Sequence, residues 1–331
     1  EMYDKISGVS DSVSYSYKTN PAVAKILYKT DSFFSINSYN TFKEIIKEVS
    51  NEKIIYFLQG EKRDKLKELV NKLDWFVVDN ENDLNKLLEI SKELDKEINL
   101  YIRIKIKEHT IYTGKYFVYG ISWMKANDII SNLDKSYIDK LGIHFHRKTQ
   151  NVAEWDLKED IHDALERDTL RQIDFLNIGG GVPYKYINSK PKLNYIFKKI
   201  KEFKEYLNQK NIKLVIEPGR FIAAPSLKLK AEILNIYEGN VILDCSIFNS
   251  YMDTYLMHMR LPIESEKDDG KFVYLIKGSS PDSLDIFRYK ARFEKELKIG
   301  DKLIFNNAGA YNFHTEFGNM DKVETNFIDS F

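Results

Sequence analysis

The sequence predicts an α/β chain in which a (β/α)8 TIM-type barrel is followed by a C-terminal all-β barrel or sandwich domain. Two observations lead to this prediction. Over about the first 220 residues, short apolar runs alternate eight times with stretches of helical periodicity, which is the pattern of a parallel sheet covered by helices. After Arg220 the long helical stretches stop, and short β-prone runs separated by turn residues replace them.

The eight strand–helix units follow one another in a regular order. The predicted strands are Val13–Lys18, Phe33–Ile36, Lys53–Phe57, Trp75–Asp79, Leu100–Lys105, Leu141–His146, Phe175–Ile178 and Lys213–Ile216. The helices between them begin near Pro21 and then cover Thr41–Val49, Lys62–Leu73, Asn82–Leu94, Met124–Leu133, Leu157–Arg167 and Leu193–Leu207. On this pattern alone, a doubly wound open sheet is the structural alternative to a closed barrel.

The second region is predicted to hold short strands with turns between them. These strands are Leu227–Ile236, Val241–Cys245, Phe272–Ile276 and Lys302–Phe305. The boundary is predicted near Ala224-Pro225, which gives a barrel domain of residues 1–224 and a β domain of residues 225–331.

Composition excludes several classes of function. Lys plus Arg and Asp plus Glu number 50 each, so no net charge attracts nucleic acid or an anionic membrane. No apolar run has the length of a membrane span, and the start shows no signal-peptide pattern. The single cysteine, Cys245, excludes an internal disulfide framework and fits a reducing compartment. We therefore expect a cytoplasmic protein without nucleic-acid or membrane partners. Because the first residue is not Met, we also expect a trimmed or incompletely ordered start.

Residues that carry chemistry recur at the carboxyl ends of the predicted strands, where the active sites of (β/α)8 barrels lie. They are Lys18, Ser35, Arg103, His144, His146, the run Gly179–Gly181, Glu217 and Arg220.

This set matches the needs of pyridoxal 5'-phosphate (PLP). A desolvated lysine amine such as Lys18 can form a Schiff base with an aldehyde, and the Gly179–Gly181 run offers backbone N–H groups to a phosphate. His146 can lie flat on an aromatic ring, and an ionised Glu217 can hold a proton on a pyridine nitrogen. Each feature also has an alternative explanation without chemistry. Lys18 can be a solvated strand end, and Gly179–Gly181 can be a tight turn. His146 can be a core histidine, and Glu217–Arg220 can be a turn with a salt bridge.

Several segments together resemble the fold-type III PLP-dependent decarboxylases, the family of diaminopimelate, ornithine and arginine decarboxylases. They are Tyr15-Ser16-Tyr17-Lys18-Thr19-Asn20-Pro21, similar to YAVKANP; Gly142-Ile143-His144-Phe145-His146, similar to GLHxH; Asn177-Ile178-Gly179-Gly180-Gly181; Glu217-Pro218-Gly219-Arg220; and Ala308-Gly309-Ala310-Tyr311. The resemblance covers nearly the whole chain.

The resemblance implies roles for these residues. Lys18 would bind the PLP aldehyde covalently, His146 would stack on the ring, and Glu217 would face the pyridine nitrogen. The phosphate would be held by Gly179, Gly180, Gly181, Thr149, Arg220 and Tyr311. The catalytic set would be Lys18, His146 and Glu217, and no metal is expected. His109-Thr110-Ile111-Tyr112-Thr113-Gly114 resembles a loop of the diaminopimelate enzymes.

The sequence departs from the family pattern at two site positions. Gly278–Asp285 aligns with a segment that reaches across a dimer interface, but Pro281 stands where the family has a catalytic cysteine. Met252 stands where diaminopimelate enzymes have an arginine for the distal carboxylate. The resemblance therefore implies a homodimer with shared active sites, and a basic substrate tail bound through acidic residues. The predicted substrate-binding residues are Arg220, Asp253, Asp282 and Asp285.

A third departure concerns the start of the chain. The family usually has a strand before the first helix that joins the C-terminal domain, and here the chain starts at about that helix. We therefore expect the second domain to lack one edge strand.

The hypothesis is α-decarboxylation of a small diamino or basic amino acid such as diaminopimelate, ornithine, lysine or arginine. Pro281 motivates an alternative, a catalytically altered or silent homologue with a binding or regulatory role. A racemase is a third candidate, against which the carboxylate of Glu217 counts.

Overall fold

A computed structural model describes residues 1–106 and 119–328 of the chain. The loop His109–Gly114 lies outside the described residues. The residues form two compact units. One contains residues 1–183 and 192–219, and the other contains residues 184–191 and the chain from Arg220 onward. The boundary predicted at residue 224 stays a prediction.

The first unit is a closed parallel barrel. Its strands are β1 Ser12–Ser16, β2 Phe33–Ile36, β3 Ile54–Phe57, β4 Trp75–Val78, β5 Ile98–Lys105, β6 Ile121–Ser122, β7 Ile138–His144, β8 Phe175–Asn177 and β9 Lys213–Ile216. Pairing runs through β1-β2-β3-β4-β5-β7-β8-β9 and returns from β9 to β1, while the two-residue β6 adds to β5. Because β1 pairs with both β2 and β9, the eight-stranded sheet has no open edge, which confirms the barrel and excludes the open sheet.

The helices of this unit are α1 Met2–Ser7, α2 Pro21–Leu27, α3 Tyr39–Ile45, α4 Arg63–Lys72, α5 Glu81–Glu93, α6 Trp123–Asn132, α7 Leu157–Ala164, α8 Arg167–Gln172 and α9 Leu193–Asn208. Apart from α1, which precedes β1, and α8, which follows α7, each helix of this unit follows a strand as predicted. Asn20 caps α2, with Pro21 at its first position, and Asn80 caps α5 by accepting from the Asp83 N–H. In the described part of the chain, no helix is long and apolar enough to cross a bilayer.

The single helix predicted over Leu157–Arg167 is wrong, because a side chain from α6 interrupts it. Asn127 donates to the Ala164 carbonyl at 3.1 Å and accepts from the Glu166 N–H at 3.2 Å. Both backbone groups are thus satisfied without a continuous helix, and α8 starts anew at Arg167.

The second unit is built on a five-stranded sheet. Its strands are β10 Leu229–Tyr237, β11 Asn240–Leu243, β12 Phe272–Lys277, β13 Ile286–Phe293 and β14 Lys302–Phe305, in the order β13-β12-β11-β10-β14. All neighbours are antiparallel except β11 and β12. Three four-residue helices accompany the sheet: α10 Arg220–Ala223, α11 Ile247–Ser250 and α12 Asp253–Leu256.

The sequence prediction omitted β13. Its apolar positions do not alternate strictly, because Phe287 and Arg288 are both buried and the pairing with β12 contains irregularities. Arg288 is held inside by an ion pair with Glu266 and by a 3.0 Å hydrogen bond to the Leu261 carbonyl. A buried arginine inside a strand hides the period-two pattern.

Aromatic side chains fill part of the barrel interior. Trp75 and Tyr101 stack with ring centroids 5.5 Å apart, and Phe175 packs edge-on against Trp75. A Cβ on Gly142 would stand 2.6 Å from the Tyr101 ring, so only glycine leaves room for it there. This packed layer closes the barrel interior and leaves chemistry to the residues at the strand ends.

We expect Leu176→Ala to lower the free energy of unfolding by about 2–5 kcal/mol, because Leu176 is fully buried on β8 and truncation leaves a cavity. Urea titration followed by circular dichroism measures the loss. Ile26→Ala removes as many carbons from a side chain that is 62% exposed, and a cost below about 0.5 kcal/mol is expected. Equal losses in the two variants would contradict this account of the core.

Candidate active site

Glu217 directly follows β9, and its buried carboxylate accepts three hydrogen bonds from neighbouring strands. The Ser35 hydroxyl on β2 donates to Oε1 at 2.8 Å, and the Asn177 amide on β8 donates to the same oxygen at 2.9 Å. His144 Nε2, at the end of β7, lies 3.3 Å from Oε2. The carboxylate is therefore held on one side by two close donors and on the other by one longer contact.

The imidazole of His144 is the neutral partner in this pair. Burial lowers the pKa of His144, the attraction of Glu217 raises it, and the net direction is down. A neutral ring with its proton on Nε2 donates to Glu217 and leaves Nδ1 as an acceptor, and Nδ1 is buried without a hydrogen-bond partner among the residues that the structure describes. A charged ring would bury an unpaired N–H donor instead, which costs more.

The surroundings keep Glu217 ionised. Burial by itself raises the pKa of Glu217, but the hydrogen bonds from His144, Ser35 and Asn177 outweigh it. The net result is a pKa below the ordinary value of 4.5. The site therefore presents a fixed negative charge at neutral pH.

The glycine run lies directly against the other site segments. Gly179 and Gly181 have positive φ values of 65° and 96°, a backbone conformation that favours glycine. A Cβ on Gly179 would lie 2.5 Å from the Phe145 carbonyl, and a Cβ on Gly180 would lie 2.8 Å from the Glu217 carbonyl. The absence of side chains thus lets this loop pack onto the ends of β7 and β9.

Lys18 is on a short 3-10 turn, Tyr17–Thr19, just beyond β1 rather than on the strand itself. The side chain is exposed, and the turn abuts the Glu217 segment, since a Cβ on Gly219 would overlap the hydroxyl of Thr19. The structure therefore brings the amine-bearing turn and the acid-bearing loop to the same end of the barrel.

His146 and Arg103 complete this rim. The His146 side chain is accessible to solvent, yet the surrounding strand ends desolvate it enough to lower its pKa, and the positive charges of Arg103 and Lys18 lower it further. Arg103 lies over the Tyr119 ring at 5.3 Å, and burial lowers its pKa. The neutral ring of His146 carries no charge to repel these cations.

The second unit holds the other predicted site residues. Arg220 is buried and makes a bidentate ion pair with Asp253, with 2.9 Å between Nη2 and Oδ1. Arg220 also donates to the Tyr186 hydroxyl at 3.1 Å, and its guanidinium lies 5.3 Å from the centroid of the Tyr311 ring. The hydrogen bond to Asp253 outweighs burial and raises the pKa of Arg220. Asp253 is therefore already neutralised by an arginine.

The remaining predicted residues lie in loops. The buried Asp285 accepts from the backbone N–H groups of Ile247 and Ser280 at 2.9 and 3.0 Å, and burial raises its pKa. Asp282 is half-buried and accepts from the Leu284 N–H at 2.8 Å. Thr149 is half-buried in the segment after β7. Their predicted roles stay predictions.

Sequence reasoning placed Ser35 and His144 at strand ends and Asn177 in a motif, but gave none of them a role. Their common feature is a hydrogen bond to Glu217 from three different strands. A polar residue at the end of an otherwise apolar strand is the signal that identifies each of them.

We expect Glu217→Gln to unfold more easily than the wild type at pH 7, by about 1.5–3 kcal/mol, because hydrogen bonds to a buried charge are lost. A lowered pKa means that this stabilisation is fully present above pH 4.5 and is lost as the pH falls through the lowered value. The difference between the variants should therefore shrink below pH 4.5, measured by urea titration across pH.

The control is Glu89→Gln, since Glu89 is 65% exposed and forms a surface ion pair with Arg63 at 3.3 Å. Its cost should stay within about 0.5 kcal/mol. A Glu217→Gln variant as stable as the wild type at pH 7 would contradict the proposed stabilising charge.

Comparisons with known proteins agree with this geometry. The family model described as pyridoxal-dependent decarboxylase, pyridoxal binding domain, matches residues 5–224. Diaminopimelate decarboxylase of Methanothermobacter thermautotrophicus is 23% identical over 322 residues, covering 89% of this chain and 74% of the relative. Carboxynorspermidine/carboxyspermidine decarboxylase of Campylobacter jejuni is 25% identical over 281 residues, covering 78% and 70%.

Among solved structures, lysine/ornithine decarboxylase from Vibrio vulnificus complexed with putrescine superimposes with a TM-score of 0.82. The two are 22% identical, and the match covers all of this chain and 92% of the other. At 22% identity, the structural similarity supports the fold alone. The family model matches more than half of the chain, and this match shows the family. The chain therefore belongs to the pyridoxal-dependent decarboxylases, and its cofactor is pyridoxal 5'-phosphate.

Proposed function

We propose that this enzyme removes the α-carboxylate of a diamino or basic amino acid as carbon dioxide. The observation that carries the proposal is the buried, ionised Glu217, which shares one end of the barrel with Lys18, His146 and the Gly179–Gly181 loop. The named relatives act on diaminopimelate, lysine or ornithine, and carboxynorspermidine, which supports a substrate with a second amino group.

The residues of the barrel fit PLP. The exposed Lys18 amine is available to an aldehyde, and the glycine loop offers the backbone N–H groups of Gly180 and Gly181 to an anion, since the Gly179 N–H donates to Asn177. Glu217 Oε2 receives one 3.3 Å contact among the described residues and retains capacity for a further donor. PLP, when bound, takes up the electron pair that remains on Cα when the carboxylate leaves.

The chain's own groups hold and orient these reactants. Lys18 would hold the aldehyde, and Glu217 would hold a proton on the ring nitrogen. The neutral ring of His146 would pack on the aromatic face, and the glycine loop would hold the phosphate. Arg220 and Tyr311 are the further phosphate or substrate contacts that the resemblance predicts.

Two residues, Pro281 and Met252, differ from the family pattern at positions where the family has catalytic or substrate-binding side chains. Pro281 has no proton to return to Cα, so Lys18, Ser280 or water takes that role in this proposal. Met252 offers no charge for a distal carboxylate, which favours a substrate with a basic tail over diaminopimelate. Because Asp253 is paired with Arg220, Asp282 is the acidic residue left to receive that tail, contributed across a homodimer.

We expect Lys18→Ala to lose covalent PLP attachment and to slow carbon dioxide release by about 100-fold or more, since the amine that exchanges with the substrate is gone. Borohydride reduction followed by peptide mass spectrometry locates the attachment. Carbon dioxide release is assayed with PLP over lysine, ornithine, arginine and diaminopimelate.

Lys25→Ala, an exposed lysine on α2, is the matched control and should retain both properties. PLP attached to a lysine other than Lys18 would refute the assignment. PLP binding without carbon dioxide release from any substrate would favour the silent homologue, and light scattering that shows only monomer would contradict the shared site.

A further inference from the structure

The hydroxyl groups of Ser14 and Ser35 form a buried chain that ends on Glu217. We propose that Ser35, supported by Ser14, is a positioning residue that fixes the Glu217 carboxylate in the orientation in which it holds the proton on the PLP ring nitrogen. This inference rests on the proposed function, because it assigns residues to the support of the same carboxylate.

The direction of the chain follows from counting protons. Ser35 Oγ lies 2.8 Å from Glu217 Oε1 and 2.7 Å from Ser14 Oγ. An ionised carboxylate only accepts, and a serine has one proton, so Ser35 donates to Glu217 and Ser14 donates to Ser35. Successive hydroxyl donors in a buried site polarise one another and strengthen the final bond to the carboxylate.

The two carboxylate oxygens are held unequally. Oε1 receives Ser35 at 2.8 Å and Asn177 at 2.9 Å, whereas Oε2 receives only the 3.3 Å contact of His144 among the described residues. Anchoring Oε1 on two strands fixes the plane of the carboxylate. Oε2 is then the oxygen left to accept from the ring nitrogen.

The orientation of Asn177 is independent of Ser35. Asn177 Oδ1 accepts from the Gly179 N–H at 2.8 Å, which directs the amide nitrogen toward Glu217. Removing the Ser35 hydroxyl therefore leaves Asn177 in place and takes away one of the two anchors of Oε1. The expected effect is a partial loss of orientation rather than a collapse of the site.

Other charged and titratable groups act on Glu217 from two strands. Tyr101 and Arg103 come from β5, and His144 and His146 come from the end of β7. None of these is changed by substitution of Ser35, which lies on β2. A change in the protonation of the ring nitrogen in a Ser35 variant therefore reports on the hydroxyl chain.

The test uses holoenzyme loaded with PLP that carries 15N in its ring, and NMR follows the ring nitrogen as the pH is raised. Ser35→Ala should lose the ring proton at a pH about one unit lower than the wild type, because a carboxylate with one anchor fewer keeps Oε2 on the ring nitrogen less well and stabilises the ring proton roughly tenfold less. Ser35→Thr keeps the hydroxyl and should restore the wild-type value. Ser14→Ala should shift in the same direction by less.

Ser32→Ala is the matched control. Ser32 is a fully buried serine next to β2, and its hydroxyl donates to the Phe33 carbonyl at 2.7 Å rather than to the site. It should keep the wild-type protonation. If Ser35→Ala does not fold, Ser35→Cys, a similar side chain with a weak donor, should show the same downward shift.

The outcomes separate this inference from the function it rests on. A Glu217→Gln variant that loses the ring proton early, together with a Ser35→Ala variant that matches the wild type, would overturn the role of Ser35 alone. A Glu217→Gln variant with an unchanged ring nitrogen would overturn the role of Glu217 itself. If the ring nitrogen of Ser32→Ala lost its proton at a pH shifted as much as in Ser35→Ala, the effect of Ser35 would be one of packing, and the proposed positioning role would be wrong.

Discussion

A single negative charge, buried where β9 ends, is the constraint on which the site depends. Removing a carboxylate from water costs several kcal/mol, and the cost is tolerable only where good donors surround the group. Glu217 finds them on β2, β7 and β8, which flank β9 from both directions around the barrel. A sheet left open between β9 and β1 would lose the donor on β2, so the pairing of these two strands and the chemistry of the site depend on each other.

The donors to Glu217 are uncharged, so they stabilise its carboxylate without cancelling the negative charge. A lysine or arginine bonded to Glu217 would cancel its charge, whereas two neutral side chains and a neutral imidazole leave the charge available to a cationic ring nitrogen. The glycines of the site act through their lack of a side chain. Gly180 lets the Glu217 backbone approach and Gly219 lets the Thr19 side chain approach, so that the amine turn, the glycine loop and the acid lie at one end of the barrel.

In the second unit, by contrast, a buried charge is neutralised by an opposite charge. Arg220 and Asp253 are opposite charges that satisfy one another bidentately, with Tyr186 and Tyr311 beside the guanidinium. Removing either partner would leave an uncompensated buried charge, which is a strongly destabilising change. In this structure Asp253 is therefore occupied by Arg220.

The sequence by itself determined the eight strands, most of the helices and the order of the motifs, because alternation of apolar runs and local capping are short-range properties. It also proposed Lys18, His146 and Glu217 as candidate site residues, since each directly follows a predicted strand or ends one. It did not reveal β13 or the break before α8, where Arg288 and Asn127 are satisfied by partners distant in the chain.

Only the tertiary structure decided which groups surround Glu217 and in what protonation state. Ser35 is 182 residues from Glu217 along the chain, and the hydrogen bond between them exists only because the barrel closes. The same holds for the pairing of Arg220 with Asp253. Short-range pattern fixes where a strand ends, whereas the partners of a buried charge depend on strands that meet across the whole fold.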